Sequence, residues 1–188
     1  MGNLLRLTGV AVACLGLGAC TTNAPKYQPS IENVQALQGL GPVKVSIGTV
    51  KLDEKNAASL NEVTARGTSL VSPYGGYAEY LKEGLRTDLV TAGKYDPNAR
   101  YAVNAVMTRN RLDASGINVG EAEVAARFSV TEGARVVYDK EQAVKNEWES
   151  SFIGGIAIPR AVQNYVATIQ KLLGRLFADP DFKAALSK

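Results

Sequence analysis

Apolar side chains recur along this chain with two periods, and the switches between them divide it into elements. Val43, Val45 and Ile47 alternate with Lys44 and Ser46 on the way to Leu52, the period of two that turns one face of a strand to a core. Ala78, Leu81, Leu85, Leu89 and Ala92 then fall three or four apart, which predicts an amphipathic helix with Lys82, Glu83 and Arg86 on its wet side. Gly93 is placed to end it and Pro97 lies beyond. Alternation returns in three runs: Tyr101-Val103-Ala105-Met107, then Ala122-Val124-Ala126-Phe128-Val130, then Val136, Tyr138 and Val144. Glu132-Gly133 separates the second and third as a hairpin turn, so an antiparallel meander is expected. Val162, Tyr165, Val166, Ile169, Leu172, Leu173, Leu176 and Phe177 form a broad helical stripe, with Pro159 suited to its first turn and Asp179-Pro180 stopping it. Phe182 and Leu186 anchor a last short helix, and Ile31, Val34 and Leu37 line one side of an early one. The order β-α-β-β-β-α predicts an α+β fold, a four-stranded, mostly antiparallel sheet with two main helices on one face.

Three stretches escape these patterns. Thr21 to Ser30 holds Pro25 and Pro29 among polar residues and reads as an extended tether, reaching at most roughly 35 Å. Residues 53–76 form a long irregular connection, closing on turn formers beside Tyr74 and Tyr77. Those tyrosines either lead into the helix and pack on the core or belong to a binding loop. Trp148 to Ile158 combines Phe152, Ile153 and Ile156 with Gly154-Gly155, too short a run to cross a bilayer. It is either a flexible helix entry buried on the sheet or an exposed apolar lip that meets lipid or a partner.

Composition narrows the chemistry. The chain has no histidine, which removes the usual serine and cysteine triads, imidazole proton shuttles and nearly all zinc sites. Lys and Arg number 21 against 18 Asp and Glu, too balanced for a nucleic-acid-binding footprint. Arg109 and Arg111 can meet an anion, or simply end a solvated strand. The close carboxylate pairs Glu147 with Glu149 and Asp179 with Asp181 lack a further ligand type and read as surface. No metal site, no cofactor and no enzymatic activity are expected.

The first residues say most about address. Arg6, an apolar run from Leu7 to Ala19 and the small residues of Leu17-Gly18-Ala19-Cys20 read as a secretory signal, which resembles that of bacterial lipoproteins. The resemblance implies cleavage after residue 19, lipid on the Cys20 sulfur, a tether over residues 20–30 and one periplasmic domain over residues 31–188. Cys14 leaves with the signal, so no thiol pair remains for a disulfide. Thr21 stands where inner-membrane lipoproteins usually carry Asp, which in a Gram-negative host implies the periplasmic face of the outer membrane. From Tyr77 to Leu173, with the helix ending Ala92-Gly93 and the strand Arg127-Phe128-Ser129-Val130, the element order resembles small outer-membrane lipoproteins of the YajG-like kind and, more distantly, the lipoprotein partner of the lipopolysaccharide translocon. Tyr27-Gln28-Pro29-Ser30 and the stretch from Trp148 to Gly154 likewise resemble uncharacterised proteobacterial lipoproteins. The expectation is a non-enzymatic, membrane-anchored accessory or scaffold protein of the cell envelope, with an envelope protein as partner. The alternative is a periplasmic module that binds a small ligand or lipid, using Tyr74, Tyr77, Tyr80 and Trp148.

Overall fold

The computed structural model describes residues 20–187, and the signal expected over residues 1–19 lies outside them. In chain order the elements are β1 (Thr21–Asn23), α1 (Ile31–Gln38), β2 (Val45–Leu52), α2 (Ala57–Leu60), β3 (Val63–Ala65), β4 (Thr68–Val71), α3 (Tyr77–Thr91), β5 (Tyr101–Asp113), β6 (Val119–Glu132), β7 (Arg135–Glu149), α4 (Gly154–Ala178) and α5 (Pro180–Leu186). The main sheet runs β2-β5-β6-β7, with β2 parallel to β5 and the other pairs antiparallel. A second sheet, β1-β4-β3, stands beside it.

The predicted α+β sandwich is present. Tyr101, Val103, Ala105 and Met107 of β5 and Ala122, Val124, Ala126, Phe128 and Val130 of β6 are buried under α3 and α4. From the helices come Leu81, Leu85 and Leu89, then Tyr165, Ile169, Leu172, Leu173, Leu176 and Phe177. Each such large side chain contributes about 2 kcal/mol on burial, which is what holds the helices down. Gly93, at φ +69°, ends α3 as its spacing predicts, and Gly133, at φ +57°, opens the β6–β7 turn.

Two irregularities redirect side chains. The β5–β6 register slips between Met107 and Arg109, so that Asn110 and Leu112, not their odd-numbered neighbours, face inward beyond it. On β2 the register slips between Ile47 and Val50, where the Thr49 N–H donates to Asn104 Oδ1 at 2.9 Å. A Cβ on Gly48 would stand 2.2 Å from that oxygen, which is why no side chain fits there.

Four expectations are corrected. The tether over residues 20–30 is instead packed on the domain. β1 pairs in parallel with β4, the Cys20 carbonyl accepts from Ser69 N–H at 2.9 Å, and Ala24 and Tyr27 are buried. Asp88 is the reason: fully buried on α3, it accepts from Tyr27 Oη at 2.8 Å, Asn33 Nδ2 at 2.8 Å and the Ser30 N–H at 3.3 Å. The 53–76 connection is not irregular but holds a short 3-10 turn, α2 and the β3–β4 hairpin, elements too short to show a period. On α1 it is Asn33 and Leu37 that are buried, while Ile31 is exposed. α4 starts at Gly154, ahead of Pro159, whose missing N–H leaves free only a carbonyl of the first, solvated turn.

Candidate functional site

The β3–β4 hairpin turns on Arg66 and Gly67, both with positive φ, +52° and +75°. That conformation suits a two-residue hairpin loop but costs an arginine about 1 kcal/mol. The side chain offsets it. Nε donates to Ala114 O at 2.7 Å, Nη1 to Phe152 O at 2.9 Å, and Nη2 to Ser151 O at 2.7 Å and Gly116 O at 3.0 Å. One guanidinium thus clamps the β5–β6 loop to the β7–α4 loop, and the Ser150 N–H adds a bond to Asn118 O at 2.8 Å.

Both clamped loops expose apolar side chains. Ile117 in the first and Val119 where it enters β6 are 60% and 54% exposed; Phe152 and Ile153 in the second and Ile156 in the first turn of α4 are 78%, 59% and 41% exposed. The stretch 152–156 is therefore a lip and not a buried helix entry. Cys20 is exposed at the same end of the molecule. Because β1 runs parallel to β4, its first residue lies beside Ser69, on the hairpin side that Arg66 closes. The chain geometry puts Cys20 no more than roughly 20 Å from the clamped loops.

The other residues singled out from the sequence are held elsewhere. Tyr77 is buried and donates to Leu70 O at 2.6 Å, and Tyr80 donates to Pro25 O at 2.8 Å. Half-buried Tyr74 packs on Tyr80 at 5.5 Å between ring centroids, and Tyr77 meets Tyr165 edge-on at 5.5 Å. Burial pushes the Tyr77, Tyr80 and Tyr165 hydroxyls well above the usual range, as expected of rings in a core. Trp148 is apart from them, on β7 opposite Gly120, with its indole laid over that glycine. These aromatics do not converge on a shared cavity. A groove of about 690 Å³ between α1 and α4 is lined by Asn33, Ala36, Val144, Gln170 and Gly174, and by none of them.

All the charged candidates but Glu149 are paired within the fold. Arg109 meets Glu123 at 2.6 Å across the strands, Arg111 meets Asp113 at 3.5 Å, and Glu147 meets Lys145 at 2.9 Å. Asp179 caps α5 through Asp181 N–H and accepts from Tyr138 and Gln142. Burial pushes its carboxyl up, but the hydrogen bonds from Lys140, Asp181 N–H, Tyr138 and Gln142 outweigh that and hold it below the ordinary aspartate range. Among the described residues no three Asp, Glu, His or Cys gather as a metal-ligand cluster. The sequence reading missed Arg66, Ile117 and Val119; a residue-glycine pair between two short β-prone runs, Val63-Thr64-Ala65 and Thr68-Ser69-Leu70, was the available signal for the turn.

Among the described residues no helix is long and apolar enough to cross a membrane. No protein-family model and no curated protein matches the chain. Among solved structures, the fold is similar to a Xanthomonas campestris protein of the DUF330 family, at TM-score 0.55 and 12% identity over 85% of this chain and 93% of that one. A Caulobacter crescentus protein described as a candidate lipoprotein is similar at TM-score 0.47 and 12% identity, over 82% of this chain and 98% of that one. At such identities the first likeness establishes a shared fold.

Proposed function

We propose that this chain is a lipid-anchored, non-enzymatic accessory or scaffold protein of a bacterial cell envelope, attached through Cys20. In a Gram-negative host its place is the periplasmic face of the outer membrane, and its partner an envelope protein. The observation that carries the reading is Cys20 itself: it follows Leu17-Gly18-Ala19, is exposed, and stands one residue before β1. The absence of histidine and the pairing of Glu147, Asp179 and Asp181 within the fold support a non-enzymatic role. The resemblance of the sequence to YajG-like lipoproteins and Thr21 after the cysteine support the outer-membrane address. The ligand-binding alternative has lost its motive, because the tyrosines fill the core and Trp148 lies apart from them.

Each buried acyl methylene contributes about 0.8 kcal/mol, so two or three chains hold a soluble domain stably where one does not. Cys20→Ser is therefore expected to move the protein from the membrane to the soluble fraction with its circular dichroism unchanged. Mass spectrometry of the wild-type amino-terminal peptide is expected to begin at a lipid-bearing Cys20. An unmodified thiol still joined to residues 1–19, or a Cys20→Ser chain that stays on the membrane, overturns the proposal.

A further inference from the structure

The tether expected between anchor and domain is absent, and this changes what the apolar lip faces. β1 begins one residue after Cys20, and the Cys20 carbonyl is itself bonded to Ser69 N–H, so a lipid on that sulfur holds this end of the domain against the bilayer. The same end carries the loops clamped by Arg66, with Ile117, Val119, Phe152, Ile153 and Ile156 outward.

We infer that the clamped loops at residues 114–119 and 150–156 form a second membrane contact, inserting their apolar side chains into the leaflet that holds the Cys20 lipid. The inference rests on the proposed lipid anchor and goes beyond it by specifying orientation and contact. Two observations select a bilayer as occupant. The first is continuity: no slack separates the anchoring atom from the lip, so the bilayer is the surface brought to it. The second is the chemistry of the clamp. Loop carbonyls facing water need no protein partner, whereas carbonyls entering a lipid interface lose their solvent and need one. Arg66 supplies donors to four of them, those of Ala114, Gly116, Ser151 and Phe152, from a backbone conformation that disfavours arginine. What remains outward at Phe152, Ile153 and Ile156 is hydrocarbon.

The lipidated protein provides its own labelling scheme. With Cys14 removed and Cys20 blocked, Phe152→Cys or Ile117→Cys carries the single free thiol, and both sites are exposed enough to be replaced without unfolding. Lys183→Cys, exposed on α5 at the opposite end, is the control. Each is labelled with an environment-sensitive nitrobenzoxadiazole dye and reconstituted, lipid attached, into vesicles of phosphatidylethanolamine and phosphatidylglycerol. The expected result is blue-shifted emission at 152 and 117, quenched by nitroxide-bearing lipids at a depth of about 5–10 Å below the headgroup boundary. The label at 183 is expected to answer only to aqueous iodide. If lipid is on Cys20 but residues 117 and 152 also answer only to iodide, the docking is overturned and the anchor stands. If both sites are shielded from iodide and from the lipid quenchers alike, protein covers the lip and the bilayer assignment is overturned. Dye found on Cys20 itself means a bare thiol, which overturns the anchor and the docking together.

Discussion

Arg66 and Asp88 make bonds that no residue pattern announces. Arg66 bonds to backbone carbonyls 48 to 86 positions away, and a carbonyl leaves no mark in a list of residue types. Asparagine tolerates positive φ, so Arg66→Asn keeps the turn while deleting the fork. It is expected to cost about 2 kcal/mol in urea unfolding and to speed amide exchange in both clamped loops. Asp88 acts through charge. Burial raises its carboxyl above the ordinary aspartate range, and its bonds from Asn33, Tyr27 and Ser30 oppose that shift only in part. The folded chain therefore holds this proton where the unfolded chain has released it. Its stabilising effect is full below the ordinary aspartate value and is lost as pH rises through the raised one. Glu132 and Asp139, held low chiefly by hydrogen bonds from Arg135 and Arg127 respectively, act in the opposite sense on acidification. The comparison that isolates Asp88 is wild type against Asp88→Asn: the stability difference between them is expected to move in favour of wild type as pH falls from neutrality into the aspartate range.

Among the elements, those with apolar residues in period were legible, down to the short α1 and α5, and those too short to show a period were not. α3, α4 and the three long strands are specified many times over, so a bulge at Thr108 displaces the face of β5 without hiding the strand. β1 offers only Thr-Thr-Asn, and the segment that follows it is held down by Tyr27 finding Asp88 sixty-one positions away. The Pro25 and Pro29 that suggested a free tether instead flank a pinned tyrosine. This difference is measurable. Lys26 is exposed, but the next N–H donates to Tyr74 Oη at 3.0 Å and Tyr27 is locked in the core. Trypsin is expected to spare the 26–27 bond in the folded protein and to cut it readily in Asp88→Ala, where a free tether would be cut in both. The lip was visible as an unusual apolar run beside two glycines. Its exposure was not, because that depends on the partner loop at 114–118 and on the clamp between them.

At the scale of the molecule, the long strands run between two unlike ends. One gathers Cys20, the Arg66 turn and the exposed apolar loops; the other holds the β6–β7 turn at Gly133 and the α5 helix packed on β7. The 14 residues of β6 connect the two, a length of about 46 Å at the usual rise per strand residue. Neutron reflectometry on a supported bilayer bearing the lipidated protein is expected to find a single protein layer of about that thickness with no solvent gap beneath it; a layer displaced outward by tens of ångströms would restore the flexible spacer. With lipid on Cys20 as proposed, the hydrogen bond between Cys20 and Ser69 sets an altitude. A binding partner that meets the Gly133 turn is met at a fixed height, and the protein measures that height with its own strands, like a post set directly in the ground and not a buoy on a line.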